Sequence, residues 1–145
     1  MKIINKDILT VESGVICHQV NCQGVMGSGL AKSIRAKWPQ VYTDYVKFCN
    51  SYKYDFERLG EAQFIKVGEN LWVCNIFGQL NYGTGERQTD YAALKSVFKE
   101  LPNSKLGNQQ FYFPYLFSSN LAGGNWNIVS KMIDYYLPDA IVCKI

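Results

Sequence analysis

The residues of this sequence best suited to chemistry lie in one stretch, residues 15–31, where an apolar run leads into a glycine-rich loop. The loop contains Gly24, Gly27 and Gly29, and glycine favours tight turns and close approach of the backbone to a ligand. From Leu30 onward, apolar residues recur at helical intervals. Where a strand is followed by a glycine-rich turn and then by a helix, the first backbone N–H groups of the helix are free and lie at the positive end of its dipole. The pattern predicts an anion site, although a glycine-rich connection without a ligand fits these residues equally well.

The loop differs from the two best-defined phosphate motifs. It ends at Gly29-Leu30 without the Gly-Lys-Ser/Thr of a Walker A loop. The dinucleotide fingerprint requires a third glycine at the position of Lys32. The sequence therefore indicates neither of these motifs.

A second loop of small and polar residues, SSNLAGG at positions 118–124, follows another apolar run at residues 110–113. Ligands of open α/β sheets bind at the carboxyl ends of the strands, where such loops begin. Two loops of this kind could hold both phosphates of a pyrophosphate. The pair of loops therefore favours a phosphate site over a plain connection.

Two titratable residues are candidates for acid–base chemistry. His18 is the only histidine and ends the run that feeds the first loop, and histidine titrates near neutral pH. It could equally be a hydrogen-bonded histidine in a central strand. Asp90 lies in the first turn of a predicted helix, where it could act on a ligand or only stabilise the helix dipole.

Length and composition predict one globular domain over residues 1–145, with 48% hydrophobic residues. We expect a cytoplasmic protein, because no signal peptide and no apolar stretch of about 20 residues is visible. The net charge is only +3 and the charged residues are scattered along the chain, so the sequence predicts no basic surface for binding nucleic acid. The five cysteines lack C-x-x-C spacing, so we expect reduced thiols and no metal site.

Strand-like and helix-like segments alternate along the chain. Apolar runs predict strands near residues 3–4, 15–20, 61–67, 71–77, 110–113 and 140–143, the third and fourth of which form a hairpin. Helical spacing predicts helices at 30–38, 41–49, 90–101 and 126–136, the third with Thr89 as its N-cap. This alternation predicts an α/β fold, a three-layer α/β/α sandwich with a mixed, mostly parallel central sheet.

In their order and spacing, these motifs resemble the macrodomain, an ADP-ribose-binding module. The resemblance rests on Asp7-Ile8, on Asn21 with GVMGSGLA after the second strand, and on NLAGGNW at 120–126. It extends over nearly the whole chain. The most similar branch contains small single-domain ADP-ribose 1″-phosphate phosphatases and ADP-ribose glycohydrolases.

The resemblance implies a set of ligand-binding residues. Asp7 would accept a hydrogen bond from the adenine amino group with Ile8 beside it, although Asp7 could also be a capping residue. Asn21 would contact the distal ribose. The two phosphate loops would comprise Gly24, Gly27, Ser28, Gly29 and Leu30, and Ser119, Asn120, Leu121 and Ala122.

The sequence departs from the family pattern in the second loop. Relatives often carry glycine where this chain has Asn120, and we expect Asn120 to adopt the left-handed backbone in its place. Asn125 replaces a frequent aspartate, so it can cap the last helix but cannot be a general base. The Lys and Asp of the lysyl-adduct glycohydrolases are absent, so we expect no lysyl adduct.

The activity implied is hydrolysis at the distal ribose, with ADP-ribose 1″-phosphate the favoured substrate. His18 would be the general base or nucleophile, and Asn21 would position the ribose. Asp90 is the remaining candidate for a catalytic residue. Neither metal nor cofactor is expected. Two alternatives remain open: release of ADP-ribose from modified protein or nucleic acid, and a non-catalytic ADP-ribose reader. The oligomeric state is left open.

Overall fold

The computed structural model describes all residues, Met1–Ile145. Its strands are β1 (Lys2–Asn5), β2 (Gly14–Asn21), β3 (Ala62–Gly68), β4 (Leu71–Gln79), β5 (Phe111–Pro114) and β6 (Ile141–Lys144). Its α-helices are α1 (Gly29–Lys37), α2 (Pro39–Asn50), α3 (Tyr91–Glu100) and α4 (Trp126–Tyr136). Short 3₁₀ turns occupy Ile8–Thr10, Asp55–Arg58 and Leu101–Asn103. None of the helices has both the length and the apolar character needed to cross a membrane.

The six strands form one sheet in the order β1-β6-β5-β2-β4-β3. Every neighbouring pair is parallel except β3 and β4, which form the antiparallel hairpin. The mixed, mostly parallel sheet predicted from the alternation of elements is confirmed. Because β2 lies between β5 and β4, its carboxyl end is in the middle of the sheet edge.

Helices cover both faces of the sheet. On β2, Cys17 packs in an apolar cluster with Leu94 of α3 and Ile133 of α4. The adjacent Ile16 faces the other way and packs with Ile34 of α1 in a second cluster. Burial on both faces explains why the consecutive residues Val15, Ile16 and Cys17 of β2 are all apolar. The three-layer sandwich is confirmed.

The N-caps of α3 and α4 were both predicted from the sequence, and contacts with distant residues decide which prediction holds. Asn125 caps α4 as predicted, with its Oδ1 accepting the Asn127 N–H at 2.9 Å. The prediction for Thr89 is wrong, because Asp90 is the N-cap of α3 and its Oδ1 accepts the Ala93 N–H at 3.0 Å. Thr89 is buried, and its hydroxyl donates to the Ser118 carbonyl at 2.7 Å. Thr and Asp both cap helices well, but the Thr89 hydroxyl bonds to the Ser118 carbonyl, so Asp90 caps α3 instead.

Candidate functional site

A cavity of about 820 Å³ opens at the carboxyl ends of three neighbouring strands, β2, β4 and β5. This is the ligand position expected for an open, mostly parallel sheet. The segments that line it are residues 18–21, 25–31, 79, 82–84, 114–118 and 120–122. Both glycine-containing loops found in the sequence therefore face one space.

The first loop, residues 22–28, is built around Asn21. Its Oδ1 accepts the Gln23 N–H at 2.9 Å, and its Nδ2 donates to the Val25 carbonyl at 2.8 Å. The Tyr45 hydroxyl lies 2.6 Å from the backbone oxygen of Asn21 and 2.8 Å from its Oδ1. The same hydroxyl accepts the Gly24 N–H at 3.2 Å. The loop is thus held in shape before any ligand binds.

Helix α1 begins directly at the cavity. Its N-cap, Ser28, makes no side-chain capping bond, so its side chain leaves the first-turn N–H groups free for a ligand. Gly29 has a φ of 59°, and a Cβ at this position would lie 3.2 Å from Leu121 Cδ1. The first and second loops therefore meet at Gly29 and Leu121, where a side chain on Gly29 would press on the second loop.

In the structure the second loop extends over residues 115–124, and backbone interactions hold it, since the Gln88 and Thr89 N–H groups both donate to the Ala122 carbonyl. Leu116 and Ser118 both have a φ of 61°, in the left-handed region that non-glycine residues seldom adopt. The Ser118 carbonyl accepts the Gly124 N–H at 2.9 Å and the Thr89 hydroxyl. The prediction for Asn120 is wrong, since the left-handed residues of this loop are Leu116, Ser118 and Gly123.

His18 lies opposite Asn75 of β4 in the strand register, with Nε2 and Asn75 Oδ1 2.5 Å apart. The histidine lines the cavity but is only 2% exposed. Its Nδ1 is buried and has no hydrogen-bond partner. Burial lowers the pKa of His18 to about 4, and the bond to Asn75 opposes that shift. The imidazole is therefore neutral at neutral pH, with one nitrogen bonded and the other unused.

No Asp, Glu, Lys or Arg lines the cavity. Its titratable lining side chains are His18, Tyr82 and Tyr115. The structure also holds no group of three or more His, Cys, Asp or Glu side chains that could bind a metal ion. An anion in this cavity would be stabilised by backbone N–H groups and by the dipole of α1.

Several predicted site residues do not line the cavity. Asp7 Oδ1 accepts the Leu9 N–H at 3.0 Å and caps the turn Ile8–Thr10, and Asp90 caps α3. The side chain of each therefore already has a structural bond. The predicted residues outside the lining are Asp7, Ile8, Gly24, Asp90 and Ser119, and those within it are His18, Asn21, Gly27, Ser28, Gly29, Leu30, Asn120, Leu121 and Ala122.

Sequence reasoning missed the residues that support the first loop from behind. Tyr45 of α2 is fully buried, and its hydroxyl supports Asn21. Arg58 is buried, and its guanidinium donates to the carbonyls of Cys22 and Cys49. It ties the first loop to the end of α2 and has no carboxylate within ion-pair distance. Nothing local in the sequence distinguishes Arg58 from a surface arginine.

The fold and the cavity can be compared with known proteins. No family model matches the chain. An ADP-ribose 1″-phosphate phosphatase of Saccharomyces cerevisiae is 32% identical over 79 residues, which are 52% of this chain and 44% of that protein. A DNA ADP-ribosyl glycohydrolase of Mycobacterium tuberculosis is 37% identical over 43 residues, 30% of this chain and 12% of that protein. The matched segments thus span less than half the length of these curated relatives.

Solved structures match the whole chain. A Bacteroides thetaiotaomicron protein of unknown function has a TM-score of 0.86 and 26% identity, covering 99% of this chain and 97% of its own. A macrodomain protein from Streptomyces coelicolor has a TM-score of 0.79 and 24% identity, with coverages of 99% and 97%. Thermosipho africanus DarTG in complex with ADP-ribose has a TM-score of 0.80 at 17% identity, covering 98% of this chain and 40% of its own. The chain has the macrodomain fold. The family resemblance drawn from its motifs is confirmed.

Proposed function

We propose that the chain binds ADP-ribose derivatives in this cavity and hydrolyses the phosphate ester of ADP-ribose 1″-phosphate. The observation that carries the proposal is the meeting of two phosphate-type loops over one cavity whose lining includes His18, a buried histidine with one ring nitrogen that has no protein partner. The partial match to phosphatases of two fungi supports the choice of substrate.

The pyrophosphate would lie between the start of α1 and the second loop. The cavity has no charged side chain, so backbone N–H groups near Gly27 and Gly29 would carry the anion. The distal ribose would lie toward Asn21 and His18, and the adenine would extend beyond the cavity lining toward Asp7 and Ile8, as the family resemblance implies. In this pose Asn21 acts mainly by holding the first loop, since its Oδ1 and Nδ2 already bond to that loop.

His18 would serve as the general base. Nδ1 would take a proton from a water molecule whose oxygen attacks the phosphorus. The new O–P bond would form as the bond between phosphorus and the 1″ oxygen breaks, and the imidazolium or solvent would return the proton to that oxygen. Since general bases work best with a pKa near the working pH, a pKa of about 4 favours the low end of the usual effect, about 10²-fold.

One observation favours a non-catalytic reader as the second candidate. No carboxylate, lysine or arginine lines the cavity, and His18 is almost fully buried. Such a cavity can bind a nucleotide without turning it over. Because part of the chain matches a DNA ADP-ribosyl glycohydrolase, release of ADP-ribose from modified nucleic acid or protein is a further activity to assay.

Turnover assays separate these functions. The protein would be incubated with ADP-ribose 1″-phosphate, with ADP-ribosylated DNA and with ADP-ribosylated protein, alongside the His18→Gln variant. We expect phosphate release from the first substrate and a loss of about 10²-fold in the variant, with affinity for ADP-ribose retained. Binding without turnover of any substrate would contradict the phosphatase and support the reader.

A further inference from the structure

A chain of side-chain amides runs from His18 through the sheet to helix α2. Asn75 Oδ1 lies 2.5 Å from His18 Nε2, and Asn75 Nδ2 donates to Gln63 Oε1 at 3.1 Å. Gln63 Nε2 then donates to the backbone carbonyl of Asp44 at 3.0 Å. His18, Asn75 and Gln63 come from three neighbouring strands, β2, β4 and β3, whose register aligns them. The chain therefore follows directly from the strand pairing.

The end of this chain fixes the orientation of every member. The Asp44 carbonyl can only accept a hydrogen bond, so Gln63 must direct its NH₂ group toward it. Gln63 Oε1 then accepts from the Asn75 NH₂ group, which turns Asn75 Oδ1 toward His18. An amide oxygen facing the ring requires an N–H on Nε2. A neutral imidazole then carries its lone pair on Nδ1.

We infer that Gln63 and Asn75 are positioning residues that hold His18 as the Nε2–H tautomer, so that Nδ1 is an acceptor for a hydroxyl group or water at the cavity. Nδ1 is buried and has no protein partner, so a group that bonds to it has to come from the cavity that His18 lines. That Nδ1 serves the distal ribose rests on the proposed function, whereas the tautomer itself does not. A hydrogen bond to one ring nitrogen of a histidine sets which nitrogen is available for chemistry.

The tautomer can be measured directly, because His18 is the only histidine of the chain. Long-range ¹H–¹⁵N NMR spectra of the ligand-free protein at pH 7 would show the imidazole nitrogens of His18 alone. We expect a protonated Nε2 and an unprotonated Nδ1. In Gln63→Leu, Asn75 loses the partner that orients it, so we expect the two tautomers to mix. Asn75→Leu removes the acceptor that faces Nε2, so we expect the two tautomers to mix in this variant as well.

Gln40→Leu is the matched control. Gln40 also joins α2 to β3, with Nε2 donating to the Lys66 carbonyl at 2.9 Å, but it has no contact with Asn75. We expect Gln40→Leu to leave the imidazole signals and turnover unchanged. With ADP-ribose 1″-phosphate as substrate, Gln63→Leu should lower kcat roughly 10-fold with KM unchanged, the low end for loss of a histidine-orienting group.

Each outcome has one meaning. A protonated Nδ1 in the wild type, or Gln63→Leu spectra identical to those of the wild type, would overturn the positioning role. If Gln63→Leu does not fold, an unchanged Nε2–H tautomer in Asn75→Leu also contradicts it, and a mixture of tautomers in Asn75→Leu supports it. The expected tautomer in a protein with no turnover would reject the phosphatase and leave the positioning role intact.

Discussion

The two loops that meet over the cavity are held in different ways. Side chains outside the first loop support it: Asn21 bonds along it, Tyr45 lies beneath Asn21, and Arg58 ties its start to α2. The second loop is held mainly through backbone, by bonds from residues 88 and 89 to Ala122 and by the strained conformations of Leu116 and Ser118, and the Thr89 hydroxyl is its side-chain support. The first loop is therefore preorganised by packing, and the second stores strain of the kind found at ligand sites.

This difference indicates where binding is most easily disrupted. A side chain added to the first loop enters a fixed anion site, whereas loss of a support should act on both shape and stability. The second loop has fewer side-chain supports that a substitution could remove. We therefore expect first-loop changes to have the larger effects on ligand affinity.

Gly27→Asp should have the largest effect. Gly27 does not have a positive φ, and a Cβ there would meet only Val25 Cγ1 at 3.9 Å, so the fold should be retained. A carboxylate about 4 Å from a phosphate costs about 4 kcal/mol, which corresponds to roughly 10³-fold weaker binding of ADP-ribose. Calorimetry measures this, with Gly27→Ala as the control. Normal affinity in Gly27→Asp would place the anion elsewhere.

Acid should destabilise the protein through His18, which lies below both loops. Its pKa is about 4 in the folded state and near 6.5 when unfolded, so the unfolded chain binds the extra proton between these values. The contribution of neutral His18 to the free energy of unfolding is fully present above about pH 6.5. It falls as the pH drops toward 4, by about 3 kcal/mol in total. The free energy of unfolding of His18→Gln, measured with denaturant at several pH values, should lack this part of the dependence on pH. Equal slopes in both proteins would contradict the burial of a neutral His18.

Tyr45→Phe should weaken the first loop from beneath. It leaves Asn21 and the Gly24 N–H without their buried hydroxyl partner, at a cost of about 1–3 kcal/mol in stability. ADP-ribose affinity should fall with it. Tyr42→Phe is the matched control, one helical turn away beside the Arg35 guanidinium. The account of the first loop fails if the Tyr45 and Tyr42 variants bind equally well.

Thr89→Val should have the smallest effect on affinity, since it removes one strut of the second loop. The Ser118 carbonyl keeps its bond from Gly124, and Gln19 Nε2 keeps Gln79 Oε1 at 2.8 Å. We expect a stability loss of about 1 kcal/mol and less than roughly 10-fold weaker binding. Thermal unfolding and calorimetry test this. A loss of affinity larger than that of Tyr45→Phe would reverse the comparison between the loops.

Local patterns predicted the strands, the helices and both loops, because apolar periodicity and glycine content are readable within a few residues. Contacts between distant segments were not predictable in this way. Asn75 and Gln63 reach His18 only through strand pairing, and Thr89 leaves the cap of α3 because it bonds to Ser118. The left-handed residues of the second loop were missed for a similar reason, since Leu116 and Ser118 carry no local sign of that conformation.

Calorimetric titration of the protein with ADP-ribose, AMP and ribose 5-phosphate tests the central claim most directly. A cavity in which two loops hold a pyrophosphate should bind ADP-ribose more tightly than either fragment, because only ADP-ribose places groups against both loops. We expect that order of affinities, with the preference for ADP-ribose reduced in Gly27→Asp. No binding at millimolar ADP-ribose, or equal affinity for AMP, would contradict an ADP-ribose site at the meeting point of the two loops.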